Sequence, residues 1–217
     1  MTTTQSDWKV VVAPRLEGIN KYNPENIDTL QKYLLYQSAS GVYDFEANLS
    51  LLKLYQFHPH HFDAELTILI LLKALMNLPA TDFVLLKCVL PQDYPDDKKM
   101  LSKVMSLHEH LESCHFKQFW ESYTENQEMF ANVVGFKEAI VSYIVGIING
   151  SFQTISDELL KNYLGESNDT TLASLAQSQG WVKSGSQWSI KNQEEFIKPK
   201  KIISKIEFDS VAGILTS

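Results

Sequence analysis

The segment 155–191 has the residue pattern of a helix–turn–helix followed by a small wing. Ser156 is suited to the N-cap of a first helix, because its side chain can accept a hydrogen bond from an otherwise unpaired backbone N–H group. Gly165 is suited to end that helix, since glycine readily adopts the left-handed conformation that follows many helices. A second helix is predicted from about Asp169, or a neighbouring cap, to Gly180.

Two short strands are predicted directly after the second helix. The stretches 181–183 and 187–190 are rich in aromatic and β-branched residues, which favour strands. Ser184, Gly185 and Ser186 lie between them and are typical of a tight turn. Two helices followed by a hairpin are the element order of a winged helix, and this order restricts the fold of the C-terminal third.

The predicted second helix lacks basic residues. Its expected solvent face is uncharged and consists of Thr171, Ser174, Gln177 and Ser178. Glu166 and Asp169 flank its start. Duplex DNA is bound mainly through phosphates neutralised by Lys and Arg, and the whole chain is acidic, with a net charge of −7 and a pI of about 5.4. The winged helix is therefore predicted to contact protein rather than DNA.

The part of the chain before the winged helix is predicted to be a stack of helices. Helices are expected from Asn23–Pro24 onwards and over about 44–56, 62–78, 82–90, 98–113 and 115–134. A further helix over 136–148 is expected to lead the winged-helix unit and to pack against both parts. The helix at 44–56 is apolar over more than half of its circumference, so it should contact neighbours on two sides. Such helices joined by short connections favour a HEAT-like helical-repeat array over a four-helix bundle.

The predicted fold class is mainly α: a HEAT-like helical-repeat domain followed by a winged-helix domain with a small β-wing. The expected boundaries are 1–134 for the helical-repeat domain, 135–195 for the winged helix and 196–217 for a C-terminal segment. That segment contains an amphipathic helix with Phe208, Val211, Ile214 and Leu215 on its apolar side. Two interpretations stay open: the stripe docks on its own chain, or it joins a helical bundle with partner chains.

Catalytic, metal and cofactor sites are not predicted. His110 and Cys114 are spaced to share one helix face, but no motif supplies a third and a fourth ligand, so surface histidines beside a buried cysteine are the favoured interpretation. The chain has only nine glycines and no glycine-rich phosphate loop. Its two cysteines, Cys88 and Cys114, form no CxxC motif and fit a reducing compartment. We therefore expect a chain that is not an enzyme.

Two further features bear on partners and location. The apolar run 66–78 would span about 20 Å as a helix, which is shorter than the roughly 30 Å core of a bilayer, so a buried helix is predicted. The only basic cluster consists of Lys198, Lys200, Lys201 and Lys205. It is interpreted as a solvated connector, with a weak contact to RNA or to an acidic partner as the alternative.

Several blocks of residues together resemble one known family. They are 22–26 (YNPEN), 51–57 (LLKLYQF), 71–83 (LLKALMNLPATDF), 114–116 with 119–120 (CHF and FW), 180–181 (GW) and 197–211 (IKPKKIISKIEFDSV). The chain resembles the subunit k family of eukaryotic translation initiation factor 3, and the blocks run in order along almost all of it. The family has the PCI-type layout of helical repeats and a winged helix, shared with scaffold subunits of the proteasome lid and the COP9 signalosome.

The resemblance implies a non-catalytic scaffold subunit in the cytoplasm, with the nucleus as a second location. It implies that the partners are other subunits of the initiation factor, most of all subunit l, and that the small ribosomal subunit is reached through the complex. Family members associate through their wings and C-terminal helices, which implies interface residues at Gln187, Trp188, Ser189, Ile190, Lys191, Phe208, Val211, Ile214 and Leu215. The alternatives are a subunit of the proteasome lid or signalosome, and a winged helix that binds nucleic acid.

Overall fold

A computed structural model of the chain describes residues 5–90, 98–166 and 168–190. The helices before the winged helix are α1 (Gln5–Leu16), α2 (Ile27–Ser40), α3 (Phe45–Phe57), α4 (Ala64–Leu75), α5 (Asp82–Val89), α6 (Lys98–Glu112), α7 (Phe116–Glu125) and α8 (Gln127–Phe130). The winged helix follows as α9 (Phe136–Ser151), β1 (Thr154–Ser156), α10 (Asp157–Leu164), α11 (Asp169–Ser178), β2 (Val182–Ser184) and β3 (Gln187–Ser189). This architecture confirms the predicted fold class.

Side-chain caps set the starts of several helices. Asp44 accepts a hydrogen bond from the N–H of Ala47 at the start of α3, and Asp63 accepts one from Leu66 at the start of α4. These bonds satisfy backbone donors that the first turn leaves unpaired. The Asn23 cap instead opens a short 3₁₀ turn, Pro24–Asn26, and α2 begins after it.

Two helix predictions need correction. The helix expected over 115–134 is divided into α7 and α8 at Asn126, whose backbone leaves helical geometry with φ −122° and ψ 35°. The helix α1 was not predicted. Its pattern is weak because Val10 and Val11 are exposed and Pro14 lies inside it. It is nevertheless anchored by Trp8, whose ring lies 5.5 Å from that of Tyr33 in α2.

Helix α4 lies at the centre of the helical stack, where it contacts α2, α3, α5, α6 and α9. It is buried on nearly all sides, and even Lys73 is only 2% exposed. The Lys73 ammonium donates a hydrogen bond to the backbone carbonyl of Gln37 at 3.2 Å, and the Gln37 side chain pairs with Asn48 at 3.0 Å. Burial lowers the pKa of Lys73 because the charged form loses hydration. This polar network joins α2, α3 and α4 inside the core.

A buried histidine also lies in the stack. His108 of α6 is 5% exposed, and its ring stacks on Phe83 of α5 with centroids 3.9 Å apart. Its Nε2 lies 3.4 Å from a carboxylate oxygen of Glu112, outside hydrogen-bond geometry, and has no hydrogen-bond partner among the described residues. Burial lowers the pKa of His108, Glu112 opposes this shift, and Lys87 adds to it.

The shift makes stability depend on pH in a defined direction. Below the unfolded pKa of 6.5, the unfolded chain takes up a proton that the folded chain resists, so the free energy of unfolding falls as the pH falls. We expect this one group to contribute up to about 1.4 kcal/mol per pH unit. Thermal unfolding of wild type and His108→Phe between pH 7 and pH 5 measures the difference. A wild-type slope equal to that of the variant would contradict the burial of a neutral imidazole.

The winged helix contains a three-stranded antiparallel sheet with the order β1-β3-β2. Ile155 of β1 pairs with Trp188 of β3, and Lys183 of β2 pairs with Trp188 from the other side. As predicted, Ser156 caps α10 by accepting from the N–H of Leu159, and Gly165 ends α10 with φ +60°. The strand β1 was not predicted, since three residues before a helix give too short an alternation to detect.

The predicted boundary at residue 134 is crossed by direct contacts. Helix α10 packs on α7, and the Trp120 indole N–H donates to the carbonyl of Tyr163 at 2.8 Å. Helix α9 packs on both α4 and α10. The division into domains at 134 and 195 stays a prediction, and the segment 196–217 lies outside the described residues. None of the described helices is long and apolar enough to cross a membrane.

Candidate protein-docking surface

The exposed face of α11 is uncharged, as the sequence predicts. Thr171, Ser174, Gln177 and Ser178 are all exposed, while Leu172 and Ala176 are buried against the rest of the domain. Asn168 caps the helix by accepting a hydrogen bond from the N–H of Thr170. The face that would enter a DNA groove in a nucleic-acid-binding winged helix therefore offers hydroxyl and amide groups without a cation.

Each lysine of the winged helix between residues 136 and 190 forms an ion pair within the chain. Residues 136–190 contain three lysines and no arginine. Lys137 pairs with Glu166 at 3.4 Å, Lys161 with Asp169 at 2.6 Å, and Lys183 with Asp157 at 2.9 Å. A phosphate backbone would have to compete with each carboxylate, so counterion release, the main source of nucleic-acid affinity, is reduced.

The pKa shifts of these groups favour the charged pairs. The hydrogen bond from Lys183 lowers the pKa of Asp157, with a further contribution from the Trp188 indole. The hydrogen bond to Asp169 raises the pKa of Lys161. Both shifts have the direction expected of opposite charges in hydrogen-bond contact, so they agree with the pairs of Lys183 with Asp157 and of Lys161 with Asp169.

The sheet order changes which strand can accept a partner. The strand β3 pairs with β1 on one side and with β2 on the other, so its backbone has no open edge. The outer edge of β2 pairs with no strand among the described residues. Val182 at this edge is 65% exposed. Strand addition by a partner is therefore closed to β3 and open to the two outer strands, β1 and β2, of which β2 carries the exposed Val182.

The structure separates the predicted interface residues of the wing into two groups. Gln187 and Ser189 are exposed, whereas Trp188 and Ile190 are 7% and 4% exposed. The Trp188 indole N–H donates to the carboxylate of Asp157, and the Lys183 ammonium lies 5.0 Å from the centroid of its ring. Lys191, Phe208, Val211, Ile214 and Leu215 lie outside the described residues, and all nine stay predicted interface positions.

Sequence reasoning did not identify which strand of the wing lies in the middle of the sheet and which strands lie at its edges. Only the position of β1 decides it, because β1 occupies the side of β3 that a simple hairpin would leave free. No local signal in the sequence indicates this order, because β1 pairs with a strand more than thirty residues away.

His110 and Cys114, which are spaced to share one helix face, belong to no cluster of metal ligands among the described residues. His110 contacts the Ser106 hydroxyl at 3.3 Å, and His115 contacts Ser113 at 2.6 Å. Cys88 and Cys114 are free and exposed, which corrects the expectation of a buried cysteine beside His110. Within the described ranges, no three His, Cys, Asp or Glu residues come together as metal ligands do.

Comparison with known proteins gives one consistent result. Residues 61–201 match the family model described as the CSN8/PSMD8/EIF3K family. The chain is 42% identical over 207 residues to a protein of Xenopus laevis, which covers 95% of this chain and 94% of the relative. It is 40% identical over 218 residues to a protein of Danio rerio, and this alignment covers 100% of this chain and 99% of the relative. It is 42% identical over 207 residues to a protein of Homo sapiens, with 95% of this chain and 94% of the relative covered. Each of these relatives is named eukaryotic translation initiation factor 3 subunit K.

Proposed function

The chain belongs to the CSN8/PSMD8/EIF3K family, and we propose that it acts as a non-catalytic scaffold subunit of eukaryotic translation initiation factor 3. The observation that carries this proposal is the similarity to relatives of that name at 40–42% identity over nearly the full length of both chains. The uncharged α11 face and the internally paired lysines support it, because they fit a winged helix that contacts protein.

We expect the main partner to be subunit l of the same factor, bound through the wing and the C-terminal residues Phe208, Val211, Ile214 and Leu215. A strand of the partner would extend the sheet at β2, where unpaired backbone groups can be completed. The small ribosomal subunit would then be reached through the assembled complex, in the cytoplasm. No direct, specific nucleic-acid contact is part of this proposal.

The geometry of the wing provides a backbone test of strand addition. Ser184 and Gln187 flank a two-residue turn and form a hydrogen-bonded backbone pair across it. Hydrogen-bonded and non-hydrogen-bonded pairs alternate along an antiparallel ladder, so the next pair, Lys183 with Trp188, is not hydrogen-bonded. The N–H and C=O of Lys183 therefore point away from β3, towards a partner. Lys183→Pro removes this outward N–H, and proline is tolerated on an edge strand. Lys183→Ala is the matched control, since both variants lose the ion pair to Asp157 and only proline loses the donor.

We expect Lys183→Pro to bind subunit l about tenfold more weakly than Lys183→Ala, the equivalent of one interfacial hydrogen bond. Titration of the purified variants by calorimetry measures the ratio, and circular dichroism checks that both remain folded. Equal affinities for the two folded variants would exclude strand addition at β2.

Which assembly contains the chain is decided by affinity purification from cells followed by mass spectrometry. Initiation factor 3 subunits are the expected companions. Because the family model joins three names, recovery of proteasome lid or signalosome subunits without initiation factor subunits would overturn the choice of initiation factor 3.

A salt-titrated binding assay with duplex DNA and structured RNA tests the other alternative, a winged helix that binds nucleic acid. Sub-micromolar binding by the isolated chain at physiological salt would contradict the proposed role of α11.

A further inference from the structure

A groove lies between α9 and α11 that the proposed wing contacts do not use. Its volume is about 570 Å³. Its apolar surface includes Val141 and Val145 of α9 together with Leu172 and Leu175 of α11. The ion pair of Lys137 with Glu166 lies at one end, and the hydrogen bond between Asn149 and Gln179 lies at the other. Between these two ends, the apolar side chains are interspersed with the small polar residues Ser142, Thr171 and Ser178, and the groove follows most of the length of α9.

On the α9 side of the groove, Ser142 and Gly146 have a small side chain and no side chain, so another segment could approach the helix backbone closely there. Ser142 and Gly146 line this groove and also a second cavity of about 490 Å³ on the opposite flank of α9. A Cβ atom added to Gly146 would meet nothing within 4 Å, and its φ is not in the left-handed region. A glycine inside a helix costs about 1 kcal/mol relative to alanine. Neither backbone conformation nor packing within the described chain accounts for this cost, whereas a segment lying across α9 would.

The described chain ends next to this groove. The N–H of Ile190 donates to the carbonyl of Gln153 at 2.8 Å, two residues beyond the end of α9. Asn149 and Gln179, which mark that end of the groove, lie in the last turn of α9 and just after α11. The segment 191–217 therefore starts beside the groove. The groove spans about 18 Å along α9, from Lys137 to Asn149. The sixteen residues before Glu207 are long enough to cover this distance and to bring residues 207–215 over the groove.

The chemistry of the C-terminal segment fits the groove. Phe208, Val211, Ile214 and Leu215 recur at helical spacing, and an apolar stripe of this kind is stabilised by burial. The segment has five lysines against four carboxylates, in a chain whose net charge is −7. All five lysines precede Glu207, in the residues that connect the described chain to the stripe, and the stretch 207–215 itself has two carboxylates, so its fit to the groove rests on the apolar stripe. We propose that, in the free chain, residues 207–215 dock in the groove between α9 and α11.

This inference concerns the isolated chain and does not rest on the proposed function. Docking in cis would cover the apolar stripe until a partner takes it, and the same stripe cannot fill the groove and join a partner bundle at once. The test therefore uses the full-length chain alone, so its failure would leave the initiation factor assignment untouched.

Disulfide trapping measures the docking directly. In a background with Cys88→Ser and Cys114→Ser, the groove pair is Ser142→Cys with Val211→Cys. The control pair is Ser102→Cys with Val211→Cys, which places the first thiol on the exposed side of α6. The effective concentration of the two thiols is determined in a glutathione buffer. We expect the effective concentration of the thiols in the groove pair to be at least tenfold higher than in the control pair. A flexible tether alone gives a millimolar effective concentration, and docking would raise it further. Equal values would overturn the proposal.

Substitutions in the segment test whether the apolar stripe is responsible. Phe208→Ser with Leu215→Ser should reduce trapping at Ser142→Cys to the control value, whereas the matched pair Phe208→Leu with Leu215→Ile should retain it. Trapping that survives both serines would overturn docking through this stripe. Two further outcomes would also overturn it: disulfides formed mainly between differently labelled chains, which indicate a second copy, and trapping that appears only after subunit l is added, which indicates a partner-dependent site.

Discussion

Gly165→Ala is expected to destabilise the chain by about 2–5 kcal/mol, the sum of a left-handed backbone penalty and a steric clash. Gly165 ends α10 with φ +60°, and a Cβ atom there would lie 2.5 Å from the Cγ and Cδ2 atoms of Trp120. The indole cannot move away freely, because its N–H is bonded to the carbonyl of Tyr163. The substitution should therefore disturb the contact between α7 and the winged helix.

A matched glycine isolates the steric part of this effect. Gly41 ends α2 with φ +70°, and a Cβ atom there would meet nothing within 4 Å. Gly41→Ala should cost only the backbone penalty of about 1–2 kcal/mol. Urea unfolding of both variants measures the difference. Similar losses at the two positions would show that Trp120 does not press on residue 165.

Trp188→Ala is expected to lower the free energy of unfolding by about 3–5 kcal/mol, as truncation of a large buried aromatic does. Trp188 is 7% exposed and pairs across the sheet with Ile155 and Lys183. Its indole also holds the Asp157 carboxylate at the start of α10. Removing the side chain would therefore loosen both the sheet and the helix that follows β1.

Trp188→Phe separates packing from hydrogen bonding. The phenyl ring retains most of the buried apolar surface, so the loss should be about 1–2 kcal/mol, mostly the hydrogen bond to Asp157. Thermal and urea unfolding report both variants. If Trp188→Ala left stability unchanged but abolished binding to subunit l, Trp188 would be an interface residue rather than part of the core.

The elements that the sequence predicted correctly are those with local signals. Ser156 and Gly165 bound α10 through interactions within a few residues, and the Ser184–Gly185–Ser186 stretch contains the turn of the wing. Helix α1 gave no such signal, because its anchoring depends on Trp8 reaching two tyrosines of α2. Contacts between residues far apart in sequence leave little trace in local periodicity, and tertiary packing then overrides it.

The same distinction explains the candidate surface. The uncharged face of α11 could be predicted from residue types at helical spacing, but the ion pair between Lys183 and Asp157 joins residues on different elements. Strand order is equally non-local: β1 pairs with a strand more than thirty residues away. The sequence therefore predicted a winged helix that contacts protein, while the identity of the outer strands of its sheet required the fold.

The central claim, that this winged helix serves a scaffold subunit and docks on protein, is tested most directly by binding to subunit l. The purified full-length chain is mixed with subunit l at micromolar concentration and physiological salt, and the mixture is analysed by size exclusion with light scattering. We predict a stable one-to-one complex that elutes ahead of either protein. Independent elution of the two proteins under these conditions would contradict the account.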